Sequence, residues 1–214
     1  MAEFDNPREA WDARYRGTEY VFGTRPNLFL ASQERYLAPG TRVLALADGE
    51  GRNGVWLAER GCEVHSVDIS PVAVDKAQRL ARERNVHIDF EIADVMQWDW
   101  PQAAFDVVAA IFIQFASPRM RGALFSGFWR ALAPGGVVIL QGYGAKQMQY
   151  TSGGPRQLDN LYTPEMLREA FAQWEILLLR DYEAVLDEGP RHRGMAALVD
   201  LVARKPHQPP TSAV

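Results

Sequence analysis

A single cysteine, Cys62, stands in a chain of 214 residues. One thiol excludes an intrachain disulfide framework and any cysteine-built metal cluster. Cys62 reads as a small buried hydrophobe at the start of a strand, and no metal is expected. Long apolar runs are missing as well: none approaches the roughly 20 residues of a membrane span. The stretch Met1–Pro7 has neither the basic nor the apolar region of a secretory signal. A cytoplasmic protein with no membrane partner is the expectation. Basic residues are in no excess, with 23 Lys+Arg against 27 Asp+Glu and a net charge of −4. That balance lacks the basic face that neutralises phosphates, so no nucleic-acid partner is expected. Internal repeats are absent too.

What is present is core material: 47% of residues are hydrophobic, enough for one globular domain. From Arg42 to Leu140 short apolar runs alternate with amphipathic stretches, the pattern of an α/β fold, a doubly wound parallel sheet with helices on both faces. Strands are predicted at Arg42–Leu46, Glu63–Val67 (ending at Asp68), His87–Ile92, Phe105–Phe112 and Val137–Gln141. The fourth is nearly unbroken apolar sequence, as for a strand buried on both faces. Helices are predicted over Asn53–Arg60 with Gly61 as its stop, from Ser70-Pro71 to about Asn85, and from Ser117-Pro118 to Leu132. Two more, Asn6–Arg16 and Asn27–Leu37, precede the core. Behind it, Gly142–Tyr162 is too long for a plain connection and reads as a lid. A helix capped by Thr163 follows, then strands Glu175–Leu186 and Met195–Arg204. Their short link makes them antiparallel. The expected layout is one domain over 1–205. Its parts are N-terminal helices and lid (1–40), a ligand-binding core (41–142) and an acceptor-side segment with the terminal hairpin (143–205). Residues 206–214, with three prolines, are expected to be a disordered tail.

The most informative stretch runs from Val43 to Gly54. Gly49, Gly51 and Gly54 satisfy G-x-G-x-x-G, the dinucleotide fingerprint, at a strand-to-helix turn where bare backbone can meet a nucleotide. The turn also carries Asp48 and Glu50, poor company for a pyrophosphate. Two carboxylates favour a ligand with a cationic reactive end, and S-adenosylmethionine, with its ammonium and sulfonium, is one. At the next strand ends, Asp68 is placed to accept both ribose hydroxyls, while Asp94-Val95 offers a carboxylate to an adenine amino group and an N–H to its ring. The candidate cofactor residues are thus Ala47, Asp48, Gly49, Glu50, Gly51 and Asn53 on the loop and Asp68, Ile69, Asp94 and Val95 beyond it. Arg25, Ile111 and Gln114 complete the set. The competing reading of each acid is a helix cap or a solvated loop charge.

The run Ala47-Asp48-Gly49-Glu50-Gly51-Arg52-Asn53, with Val67-Asp68-Ile69-Ser70, Ala93-Asp94-Val95 and Leu132-Ala133-Pro134-Gly135-Gly136, resembles the class I S-adenosylmethionine-dependent methyltransferases. More narrowly it is similar to the tellurite-resistance methyltransferase group. Trp11–Tyr15, Tyr20–Asn27, Thr151–Pro155, Leu161–Thr163 and Asp187–His192 carry that narrower likeness. The resemblance implies a Rossmann-like sheet ending in an antiparallel hairpin, with S-adenosylmethionine as cofactor. Two positions depart from it: Ala45 replaces an acid frequent in the first strand, and Ala47 replaces the usual first glycine. A slightly tighter loop with retained binding is expected.

Methyl transfer from a sulfonium is an in-line displacement, so the protein chiefly aligns the acceptor and excludes water. A base is needed only if the acceptor must lose a proton. His192 is the best candidate: His65 and His87 lie in predicted strands and His207 in the tail, whereas His192 sits in a loop between Arg191 and Arg193. The resemblance implies a His-Arg pair near the acceptor, here His192-Arg193; the group's further arginine has no obvious counterpart. The competing reading is a solvent-exposed loop histidine. Tyr15, Tyr20, Phe22 and Arg25 read either as an aromatic lid over a cation or as a staple for the N-terminal helices. The candidate catalytic residues are His192, Arg193 and Tyr20, with Gln114 facing the acceptor and Tyr143 nearby. Trp98, Trp100, Phe125, Phe128 and Trp129 read as packing. The expected function is methyl transfer to a small molecule by a monomer or homodimer. The resemblance implies a chalcogen oxyanion or thiol, with Arg191 and Arg193 available to an anion. An NAD-dependent oxidoreductase and a non-catalytic S-adenosylmethionine-binding protein are the alternatives.

Overall fold

A computed structural model describes residues 6–207. Its frame is one seven-stranded sheet. In chain order the elements are α1 (Pro7–Tyr15), α2 (Leu28–Ala31), β1 (Arg42–Leu46), α3 (Arg52–Glu59), β2 (Glu63–Asp68), α4 (Pro71–Glu83), β3 (Asp89–Ile92) and β4 (Phe105–Ile111). Then come α5 (Pro118–Ala131), β5 (Leu132–Tyr143), α6 (Pro164–Ala170), β6 (Glu175–Asp187) and β7 (Arg193–Arg204). The strand order is β3-β2-β1-β4-β5-β7-β6, with β7 antiparallel to both neighbours and the other pairings parallel. The order reverses between β1 and β4, so a crevice opens beyond their carboxyl ends.

Alternation along the strands divides the core. Leu44 and Leu46 of β1 join Val108, Val138 and Leu140 under Phe128 of α5 and Leu167 of α6. Val43 and Ala45 point to the opposite face, with Val107, Ile139, Val55 and Leu57 of α3, Leu80 of α4, and Phe29 and Leu30 of α2. The helix starts follow their caps: Ser70 Oγ accepts from the Ala73 N–H and Thr163 Oγ1 from the Met166 N–H. Gly61, at φ +83°, ends α3 as expected.

Several local expectations change. The predicted helix over Asn27–Leu37 is only the short α2 followed by a 3-10 turn at Glu34–Tyr36. The Ser32 hydroxyl donates to the Phe29 carbonyl at 2.7 Å, taking up a helix-propagating acceptor. Ser117 precedes α5 but makes no side-chain cap bond. His87 falls outside β3, which begins at Asp89. The stretch 142–162, read as a lid, packs against β7. Gln147 is buried, its amide oxygen accepting from the Ala197 N–H of β7, and Ser152 donates to the Met195 carbonyl. Of the expected tail, His207 packs on Gly135; the rest, 208–214, lies outside the described residues. No described helix is long and apolar enough to cross a membrane, and no described cluster of His, Cys, Asp and Glu could hold a metal ion.

Candidate active site

The glycine loop leaves β1 through Ala47 at φ +47°, then turns at Gly49 and Gly51, also in the left-handed region. The loop's two acids do different work from their neighbour Asp68. Asp48 turns inward: it accepts from the Gly54 N–H at 3.1 Å and from Ser66 Oγ at 3.2 Å, and burial pushes its carboxyl up to about 7. It caps α3 from beneath. Glu50 is buried in an ion pair with Lys76 and accepts from the Val21 N–H at 2.7 Å. Lys76 also donates to the carbonyls of Gly17 and Glu19, at 3.0 and 2.6 Å. Glu50 and Lys76 therefore hold the segment after α1 against the loop.

Asp68 ends β2 with one oxygen accepting from the Gly49 N–H at 2.8 Å and the other from the Ser70 N–H at 2.9 Å. Burial raises its carboxyl to about 6. Beside it, Ile69, Ile92, Ala93, Asp94 and Gln97 line a cavity of about 290 Å³ closed on the other side by Asn6, Pro7 and Arg8. Asp94 accepts from the Met96 N–H and the Gln97 side chain, at 3.0 and 3.1 Å, while Val95 is buried behind it. A larger cavity, about 370 Å³ between Tyr36, Gly40, Thr41 and Arg204, opens beside the amino end of β1 and the carboxyl end of β7, away from these groups.

Tyr15 of α1 lies over the loop, its hydroxyl 2.9 Å from where a Gly49 Cβ would stand. Burial, then the Asp68 and Glu50 charges, hold that phenol well above its usual range, so it stays neutral. An aromatic chain leads onward: Tyr15 meets Phe22, and Phe22 and Phe112 each pack on the His192 ring at 4.5 Å between centroids. Tyr143 closes the group, perpendicular to His192 at 5.9 Å. His192 is only 6% exposed, which overturns its reading as a solvent-exposed loop residue. Burial, with Arg52 and Arg14 adding to it, pushes the imidazole down to about 3, so it is neutral. Its Nδ1 and the Tyr143 hydroxyl are both buried without a hydrogen-bond partner among the described residues.

The other expected residues lie apart from this box. Arg193 has its side chain 76% exposed beside Asp187, which Arg25 also contacts. Tyr20 donates to the Lys76 carbonyl at 3.3 Å and stacks over that ammonium. Gln114 is spent on backbone, donating to the carbonyls of Tyr143 and Asn160 and accepting from the Tyr143 N–H. Asn53 accepts from the Asn27 N–H at 2.9 Å, and Ile111 is buried at the end of β4. Sequence reasoning missed the group that positions the hairpin loop. Arg52 pairs with Glu188 at 2.9 Å, both buried, and Glu188 also accepts from Asn27 and the Leu28 N–H. From Asn27 the network runs through Gln141 to Asp200 and Arg180. Lys76 did leave a signal: it is the one charged residue among the buried positions of α4.

A buried acid at the end of β2, a glycine loop before α3 and a cavity on the far side of the acid fit the ribose, amino-acid and adenine parts of S-adenosylmethionine. Residues 43–136 match the family model of a methyltransferase domain. Demethylmenaquinone methyltransferase of Deinococcus radiodurans is 33% identical over 102 residues, covering 46% of this chain and 42% of that protein, so the match spans less than half of the relative. A structure described as "Conversion of a Disulfide Bond into a Thioacetal Group during Echinomycin Biosynthesis" superposes with TM-score 0.78 at 20% identity, over 96% of this chain and 94% of the other. TehB from Haemophilus influenzae gives TM-score 0.69 at 16% identity, over 92% and 66%. Residues 43–136 thus resemble a methyltransferase domain, and the sheet around them has the fold of these solved structures.

Proposed function

We propose that the protein transfers a methyl group from S-adenosylmethionine to a small acceptor held against His192. The observation that carries the reading is the aromatic box around a neutral, buried histidine beside the glycine loop and Asp68. S-adenosylmethionine supplies an electrophilic methyl group on a sulfonium. Asp68 would hold its ribose, the Gly49–Gly51 backbone its amino-acid end, and Ile69 and Asp94 its adenine. The rings of Tyr15 and Phe22 offer π faces to a cation and exclude water. The box aligns the acceptor, and orientation of this kind can lower a barrier by roughly 7–11 kcal/mol. His192 takes a proton where the acceptor carries one.

The acceptor is proposed to be a chalcogen nucleophile, a thiol or a chalcogen oxyanion. The likeness to a structure concerned with a disulfide and a thioacetal supports sulfur-type chemistry. The antiparallel β7 supports S-adenosylmethionine over NAD. The test is incubation with S-adenosylmethionine and tellurite, selenite or a simple thiol, reading S-adenosylhomocysteine formed. Product with at least one acceptor supports the reading; none from any removes the chalcogen assignment. Turnover also disposes of a purely binding role.

A further inference from the structure

We propose that the acceptor site is built for an uncharged thiol, with Tyr143 as a second acceptor-binding group beside His192. The inference rests on the methyltransferase reading above and narrows it.

Two buried polar atoms carry it. Tyr143 is 2% exposed and its hydroxyl has no partner among the described residues; the same holds for His192 Nδ1. Orphaned buried groups are costly, and a fold retains them where a ligand supplies the missing bond. They belong to one site. The two rings are neighbours, perpendicular with centroids 5.9 Å apart, and Gly153, where a Cβ would clash with the Tyr143 hydroxyl, lies against both. Phe22 and Phe112 each pack against the imidazole with centroids 4.5 Å away.

The box has the wrong chemistry for an anion. Arg193 faces Asp187 at the surface, Arg191 is exposed, and Arg52 is committed to Glu188. Arg14, whose charge reaches His192, is exposed and stacks on Trp11, so an oxyanion entering would lose its hydration and meet no buried cation free to pair with it among the described residues, a large penalty. A neutral thiol meets both needs: its S–H donates to His192 Nδ1 while its sulfur accepts from the Tyr143 hydroxyl. In the transfer the sulfur forms a bond to the methyl carbon and the donor's C–S⁺ bond breaks, its electron pair returning to the donor sulfur. The proton leaves the sulfur as the bond to the methyl carbon forms and makes it strongly acidic; it passes through Nδ1, too weak a base to keep it, to solvent. The Tyr143 bond acts by orientation, holding the sulfur so that its remaining lone pair faces the methyl carbon.

The experiment compares propane-1-thiol, 3-mercaptopropionate and selenite as acceptors for the wild-type protein and Tyr143→Phe, with S-adenosylhomocysteine affinity measured in parallel. The expected result is transfer to propane-1-thiol, with the two anions poorer by about a hundredfold. Tyr143→Phe lowers kcat/KM for propane-1-thiol by about tenfold, leaves S-adenosylhomocysteine affinity within about twofold, and does not lower Tm, because it deletes an unpaired hydroxyl. With saturating S-adenosylhomocysteine, propane-1-thiol raises the Tm of the wild type more than that of the variant. Selenite or 3-mercaptopropionate serving as well as propane-1-thiol overturns the inference. So does an unaltered Tyr143→Phe, or no transfer to any of the three by a protein that binds S-adenosylhomocysteine. Failure to bind S-adenosylhomocysteine overturns the methyltransferase reading itself, and the inference falls with it.

Discussion

Ala47 leaves β1 at φ +47°, a conformation that costs an L-residue roughly 1–2 kcal/mol. Alanine does not simply tighten the loop here; it strains it. Ala47→Gly should therefore raise stability by about 0.5–1 kcal/mol, the relief exceeding glycine's extra freedom in the unfolded chain. Urea denaturation of the two proteins checks it, and a loss of stability would show that Ala47 is relaxed. His192 makes a second prediction at this scale. Its folded pKa of about 3 lies below the ordinary value of 6.5, so between these pH values the unfolded chain binds a proton that the folded chain does not. Stability from this group is complete above pH 6.5 and is lost as pH falls toward 3, at up to about 1.4 kcal/mol per unit. Relative to His192→Gln, the wild type should lose ground from pH 6.5 to 4.5 in denaturant titrations. Parallel curves would mean an accessible, ordinary histidine.

The hairpin loop that carries His192 is an element held by a buried charge pair. Removing one partner of Arg52–Glu188 leaves the other charge buried alone, so Arg52→Met should cost about 3–5 kcal/mol. Arg52→Met with Glu188→Met should cost clearly less than the two single losses combined, and a denaturation-based double-mutant cycle reads the difference. Additive losses would mean that the pair does not anchor the loop. This pair also shows where sequence reading stops. β1, β4 and β5 were legible as apolar runs and β2 from the acid that ends it, and the last two strands because their link is short. Asp68 and the glycines were legible from their place at strand ends. Arg52 and Glu188 are 136 positions apart, and no periodicity or spacing announces such a pair. Nor did the sequence reveal which way Asp48 and Glu50 face. A carboxylate in a loop looks the same whether it meets a ligand, caps α3 from below or pairs with Lys76.

At the scale of the molecule, two chain-distant segments meet over the carboxyl ends of the strands. The segment after α1 is fixed by Glu50 and Lys76, and the hairpin loop joins it: Arg191 donates from its backbone to the Val21 carbonyl, and Gly189 packs on the Phe22 backbone. A bound S-adenosyl group would lie beneath Tyr15, between Asp68 and the cavity beside Ile69. The measurement that tests this most directly is thermal unfolding with S-adenosylhomocysteine or NAD, for the wild type and Asp68→Ala. A ligand at about 100 times its Kd adds roughly 2.7 kcal/mol to a protein that binds it only when folded. In a chain of this size that is a Tm rise of about 5–10 °C. The account predicts that rise with S-adenosylhomocysteine, none with NAD, and its loss in Asp68→Ala. A rise with NAD alone, or an unchanged Tm with both ligands, would contradict it.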